Sequence, residues 1–325
     1  MTVRVALTGA SGFIGSAVLR RLVPHELTPH EQGDVEVRAL TRRELELPGG
    51  MEQVHADLAR PATLAGTCSG ARVLLHAASY VGPDDRLCTQ INDVGTAALM
   101  DEARRAGVER VVQLSTTAVY GRGPHHGAAV EDVVPAPASA TSRSRLAAEE
   151  HALRQDALVL RAGLITGAGD RWLVPALVEL ARRVPGYWRG GHAKLSLIDV
   201  DDLARLVVRA GLPPSGTDRV RAAVRGVHHA VHPVPVRNRD LLDTLAMLGL
   251  MPPVRGELTW PECLALLDEH PGRISERQLN LLAFDHHYDT ALWEACESAP
   301  GQGPLDALAD AAPWYRAHLA RTARP

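Results

Sequence analysis

Residues 3–15 read VRVALTGASGFIG: a short β-branched run, a turn with glycine at positions 9, 12 and 15, and the apolar start of a helix. In such a turn Gly9 permits the sharp reversal, Gly12 lets a pyrophosphate approach the backbone, and Gly15 lets the helix pack close to the strand. The helix N-terminus then aims its free N–H groups at the phosphates. The pattern carries weight through its context, after a strand and before a helix within the first fifteen residues. Gly9, Ser11, Gly12, Phe13, Ile14 and Gly15 are therefore expected around a dinucleotide.

Working outward, 35–41 (VEVRALT), 73–77 (VLLHA), 111–115 (VVQLS) and 158–162 (LVLRA) are short apolar runs of the buried parallel-strand kind. Between them lie helical patterns such as 95–106 (GTAALMDEARRA). Alternating βα units predict an α/β fold, a Rossmann-type doubly wound parallel sheet. After about residue 166 the pattern changes: an amphipathic helix at 173–184, a Gly/Trp-rich loop at 187–194, and a Pro-punctuated, mostly helical region from 234. The expected division is a dinucleotide-binding domain of residues 1–165 plus 196–232, and a smaller, mostly helical substrate lobe of 166–195 plus 233–325.

A net charge of −3 over 325 residues gives no reason to expect nucleic acid or a membrane surface as partner. No apolar run is long enough to span a bilayer, and the first residues are unlike a signal peptide, so a cytoplasmic protein is expected. Cys68, Cys88, Cys263 and Cys296 lie far apart, which argues against a zinc or disulfide framework. The oligomeric state stays open. Lys194 is the only lysine, so a mechanism that needs one has a single candidate.

NAD-selective sites usually end the second strand in an acid. Here that strand runs into Arg42-Arg43, and Glu36 lies too early. Permanently charged, bidentate guanidinium groups suit a 2′-phosphate, so NADPH is the expected cofactor.

Further stretches fall in a familiar order: Asp57-Leu58, His76-Ala77-Ala78, Asn92, 115–121 (STTAVYG), 161–163 (RAG) and 200–204 (VDDLA). Over roughly residues 1–232 the chain resembles the extended short-chain dehydrogenase/reductases, the group that includes NAD-dependent epimerases and dehydratases. The resemblance implies cofactor contacts from Asp57, Leu58, Ala77, Ala78 and Asn92. In that family a Ser or Thr positions the substrate carbonyl, a Tyr donates a proton, and the Lys of Y-x-x-x-K lowers the Tyr pKa and holds the nicotinamide ribose. Thr116 matches the first position. Thr141 stands where the Tyr belongs and Arg145 where the Lys belongs, inside SATSRSRLAAEE (139–150).

Three accounts follow from this departure. A ketoreductase could act on a substrate carrying its own proton donor. A nucleotide-sugar reductase or epimerase could use another acid, with Tyr80, His192 and Tyr187 as candidates. A chain without an acid could bind NADP only as a sensor. A Thr in place of the Tyr resembles the atypical ketoreductases of aromatic polyketide tailoring, which implies an aromatic polyketide substrate. Catalytic roles are then expected for Thr116, Thr141, Arg145 and Tyr80, with Arg145 also on the cofactor. Trp172 and Tyr187-Trp188 are read as an apolar wall, and Asp201-Asp202 as a helix cap. His125-His126 are read as exposed. His228, His229 and His232 lack acidic or cysteine partners at ligand spacing, so no metal site is expected.

Overall fold

The computed structural model describes residues 2–23, 35–48, 50–212 and 224–322. In chain order the strands are β1 (Val3–Thr8), β2 (Val35–Thr41), β3 (Glu52–His55), β4 (Val73–His76), β5 (Arg110–Thr116), β6 (His125–Ala128), β7 (Leu158–Ala162), β8 (Leu164–Thr166), β9 (Tyr187–Trp188), β10 (Lys194–Leu195), β11 (Leu197–Asp199), β12 (Gly226–Ala230), β13 (Val236–Arg237), β14 (Glu257–Leu258) and β15 (His286–Tyr288). Seven of them form one sheet in the order β12-β7-β5-β4-β1-β2-β3. Every neighbouring pair in it is parallel. β3 (EQVH) went unread in the sequence because it is short, polar and at the sheet edge.

Side chains alternate between the two faces of this sheet. Val5, Leu7, Val73, Leu75, Leu158 and Leu160 pack on one face with α1 (Phe13–Arg21) and α6 (Val200–Gly211). Ala6, Leu74, Val111 and Val159 pack on the other with α3 (Gly95–Arg105) and α4 (Ala140–Leu153). With helices on both faces, the central strands are largely apolar. β1 lies between β4 and β2, so the connections leaving it diverge and open a crevice at the strand C-termini.

A second apolar cluster gathers Leu177 and Leu180 of α5 (Leu173–Arg183) with Trp188, Leu241, Leu245 and Tyr315. Beside it runs a four-stranded sheet, β13-β10-β15-β6. The expected two-part division remains a proposal, with two exchanges between its halves. β6 pairs with β15, and Leu292, Trp293 and Cys296 pack into the first cluster beneath α6. The cap of α6 is Asp199, whose carboxylate accepts from Asp201 N–H at 2.8 Å. Asp201 and Asp202 instead occupy the first turn, where negative charge suits the helix dipole.

Candidate active site

At two positions of the turn, Gly9 and Gly15, only glycine fits. Gly9 has φ +75°, and a Cβ there would lie 2.8 Å from the backbone N of Ala78. A Cβ on Gly15 would lie 2.0 Å from the Gly9 carbonyl oxygen. Around this turn opens a cleft of about 250 Å³. Gly9, Ser11 and Gly12 form one end, Arg42, Asp57 and Leu58 another, and Ala77, Ala78 and Tyr80 the wall leading away from the turn. The side chains of Phe13 and Ile14 are not in that wall: they pack on the core at the start of α1. What the two residues can offer an anion is their first-turn N–H groups.

The end of β4 is locked. Thr8 Oγ1 accepts from Ala78 N–H at 3.2 Å and lies 2.7 Å from His76 Nδ1, while His76 Nε2 lies 3.0 Å from Thr96 Oγ1. Burial, reinforced by the nearby Arg145 charge, pulls the His76 pKa down to about 4, so the imidazole is neutral. At the far end of β2, Glu36 is exposed and ion-paired to Arg4 at 2.8 Å, away from the cleft. Arg42 lines the cleft and Arg43 the open groove beside it. Neither guanidinium has an ion-pair partner among the described residues. The shape, the glycine cradle and the cationic end fit a nicotinamide dinucleotide, which supplies hydride when bound.

At the reacting end, Thr116 Oγ1 accepts from Ala118 N–H at 3.2 Å, which leaves its own proton free to donate. Thr141, on the first turn of α4, donates its hydroxyl to the Gly82 carbonyl at 3.1 Å. Cys88 Sγ lies 3.6 Å from Thr141 Oγ1 and contacts the same carbonyl. Arg145, one turn on, is half-buried and donates to the Leu114 carbonyl at 3.1 Å. Desolvation draws its pKa down to about 10, which leaves it a cation at neutral pH. Asn92, expected on the cofactor, spends its carboxamide elsewhere. It accepts from Tyr80 N–H at 2.7 Å and donates to the Tyr80 carbonyl at 2.9 Å and to Ser144 Oγ at 3.0 Å. It thereby positions Tyr80 against α4.

The profile of the NAD-dependent epimerase/dehydratase family matches residues 5–218. The chain belongs to that family. Its members are dinucleotide-dependent enzymes acting on carbonyl and hydroxyl groups. Among similar proteins, a 2-alkyl-3-oxoalkanoate reductase of Stenotrophomonas maltophilia is 32% identical over 196 residues, covering 55% of this chain and 56% of that protein. A 4-hydroxy-2-methyl-3-oxo-4-farnesyl-3,4-dihydroquinoline-1-oxide ketoreductase of Stigmatella aurantiaca is 27% identical, covering 59% of each. The chain thus spans little more than half the length of these relatives. A solved dTDP-glucose 4,6-dehydratase of Streptomyces venezuelae superposes with TM-score 0.71 at 21% identity, over 98% of each chain.

As a member of the epimerase/dehydratase family, the chain has no other Y-x-x-x-K to fall back on. Among the described residues Tyr80 is the tyrosine in the cleft wall. Tyr120, Tyr288 and Tyr315 are buried. Tyr187 donates to Asp243 in the second cluster, His192 is exposed, and Lys194 lies exposed on β10.

The expected aromatic wall does not form. Trp188 is wholly buried in the second cluster, with Nε1 donating to the Val184 carbonyl at 3.0 Å, because β9 pairs with β14. Trp172 is 63% exposed instead. His125 is likewise buried, since alternation along β6 turns it inward while His126 faces out.

One group of site residues was missed in the sequence. Glu149 of α4 is paired with Arg161 of β7 at 2.7 Å, both buried, and Ser115 donates to the same carboxylate. Arg161 donates to Tyr120 Oη at 2.8 Å, and that hydroxyl lies 2.6 Å from His229 Nε2. Thr141, Arg145 and Glu149 recur every four residues on one face of α4, so this pair fixes the helix that carries the reacting end.

Proposed function

We propose that the protein is an NADPH-dependent ketoreductase that reduces a ketone on a polycyclic aromatic polyketide, with the substrate supplying its own proton. The observation that carries this reading is the Thr141 hydroxyl. It stands at the family's acid position, yet its proton is committed to the Gly82 carbonyl. Thr116 retains a free donor for the substrate oxygen, and Arg145 adds a fixed positive charge, so electrostatic stabilisation survives without an acid. The Stigmatella relative supports a ring ketone fused to an aromatic ring as the kind of group reduced, although the 4-hydroxyl in its substrate's name sits on a saturated carbon and is no phenol. The Tyr and Lys departures resemble the ketoreductase acting on the angucyclinone part of simocyclinone. Without the expected aromatic wall, the substrate assignment rests on this chemistry.

The test is NADPH oxidation, followed by absorbance, against a panel of aromatic ketones with and without a neighbouring hydroxyl. Turnover confined to hydroxyketones supports the reading. Tight NADPH binding with no ketone reduced favours a sensor.

Two further outcomes are expected. NADPH should bind several-fold more tightly than NADH, and the Arg42→Ala/Arg43→Ala variant should lose that preference, because the unpaired guanidinium groups meet the 2′-phosphate. Equal cofactor affinities in the wild type would overturn the assignment. Thr141→Ala should lower kcat by less than about 10²-fold, the lower bound for a general acid. A larger loss with cofactor affinity unchanged would return Thr141 to the chemistry.

A further inference from the structure

β6 and β15 run parallel with His126 opposite His287, so both imidazoles project from the same face of the sheet. Asp285 precedes His287 by two residues and shares that face, whereas His125 and His286 point to the other and meet edge to face at 5.3 Å. The three outward side chains converge: one ligand atom from each of His126, Asp285 and His287 lies within 4.8 Å of the other two. The carboxylate is oriented for the role. Asp285 Oδ1 accepts from Lys194 N–H at 2.6 Å, which leaves Oδ2 turned to His126 Nδ1 at 2.9 Å. The His287 ring has no hydrogen-bond partner among the described residues. Gly127, between the two strands' outward residues, has φ +61° and lies beside the His287 ring.

We propose that His126, Asp285 and His287 bind a divalent transition-metal ion of the zinc class. Two imidazole nitrogens and one carboxylate oxygen form a donor set that suits Zn²⁺ and leaves a fourth position for water. The Lys194 hydrogen bond acts on the carboxylate as outer-shell partners of metal ligands do. None of the three residues lines the dinucleotide cleft, so the ion would not touch the reacting groups. It would tie β6, which lies between Thr116 and α4, to β15 near the C-terminal end. The ion would thereby brace the connection that leads into α4, the helix carrying Thr141 and Arg145.

The test is calorimetric titration of the full-length, tag-free protein with Zn²⁺. One saturable site is expected. His126→Ala and His287→Ala should each weaken it by about tenfold or more, a scale on which even outer-shell changes act. Zn²⁺ should raise the Tm of the wild type and not that of the double variant, because an ion that binds only the folded state stabilises it. Circular dichroism of the metal-free variants checks that they fold. His126 is exposed, and its conservative variant His126→Asn serves if His126→Ala is unstable. Absence of saturable binding, or binding unchanged in the double variant, would overturn the site.

Discussion

Glu149→Ala is expected to destabilise the protein by about 3–5 kcal/mol, the usual consequence of removing one partner from a buried ion pair. Arg161 would remain charged in the core, its side chain only 6% exposed, and would have lost the strongest of its acceptors. Ser115 would lose its acceptor as well. Replacing both members, Glu149→Leu with Arg161→Met, should recover much of that loss, since two apolar groups of similar volume leave no orphaned charge. Urea unfolding of the single and double variants measures this. A double variant as unstable as Glu149→Ala would show that the pair acts mainly through Tyr120 and His229, which Arg161 also orders. Activity should fall further than stability alone requires, because the pair sets the position of Arg145 one turn earlier on α4.

That pair also shows what the residues disclosed and what they withheld. Five of the seven strands of the central sheet were legible because burial on both faces forces apolar runs, whereas the edge strands β3 and β12, polar or histidine-rich, were not; the glycine turn was legible because its glycines answer steric demands. Glu36 could be discounted by counting along β2, and it indeed pairs with Arg4 away from the cleft. The motifs LAAEE and RAG were visible as patterns, but their chemistry depends on Glu149 and Arg161 meeting across two elements. The fate of aromatic residues depends on strand pairing. Tyr187-Trp188 sits in a glycine-rich stretch that reads as a loop, and only its pairing with β14 turns Trp188 into the second cluster. Asp199, Asp201 and Asp202 are all acceptable caps by composition, and the helix start alone selects Asp199. Asn92 reads as a cofactor ligand by family resemblance, yet its carboxamide is used up on Tyr80 and Ser144. His126 and His287 are separated by about half the chain, so no local ligand spacing could announce them.

Methylating a hydroxyl beside the substrate ketone should lower kcat by about 10²-fold or more, the contribution expected of a general acid. Reduction of a ketone leaves an alkoxide on the substrate, and a proton must reach it before the alcohol can depart. Thr116 can hydrogen-bond that oxygen, but a threonine hydroxyl is too weak an acid to protonate it at neutral pH. The Thr141 proton is held by the Gly82 carbonyl. Arg145 remains a cation and stabilises charge without giving up a proton. A phenol has a pKa near 10, far better matched to an alkoxide, and beside the ketone it is already within hydrogen-bond reach. It passes its proton to the alkoxide oxygen, and the resulting phenolate recovers one from water. The methyl ether keeps the ring and the ketone but has no proton to give, so its affinity should stay close to that of the parent while turnover collapses. Direct binding measurements separate the two effects. If the ether turns over as fast as the parent, the donor belongs to the protein. Tyr80, the tyrosine in the cleft wall, is then the side chain to remove, with Tyr80→Phe as the variant that keeps its packing over Gly82.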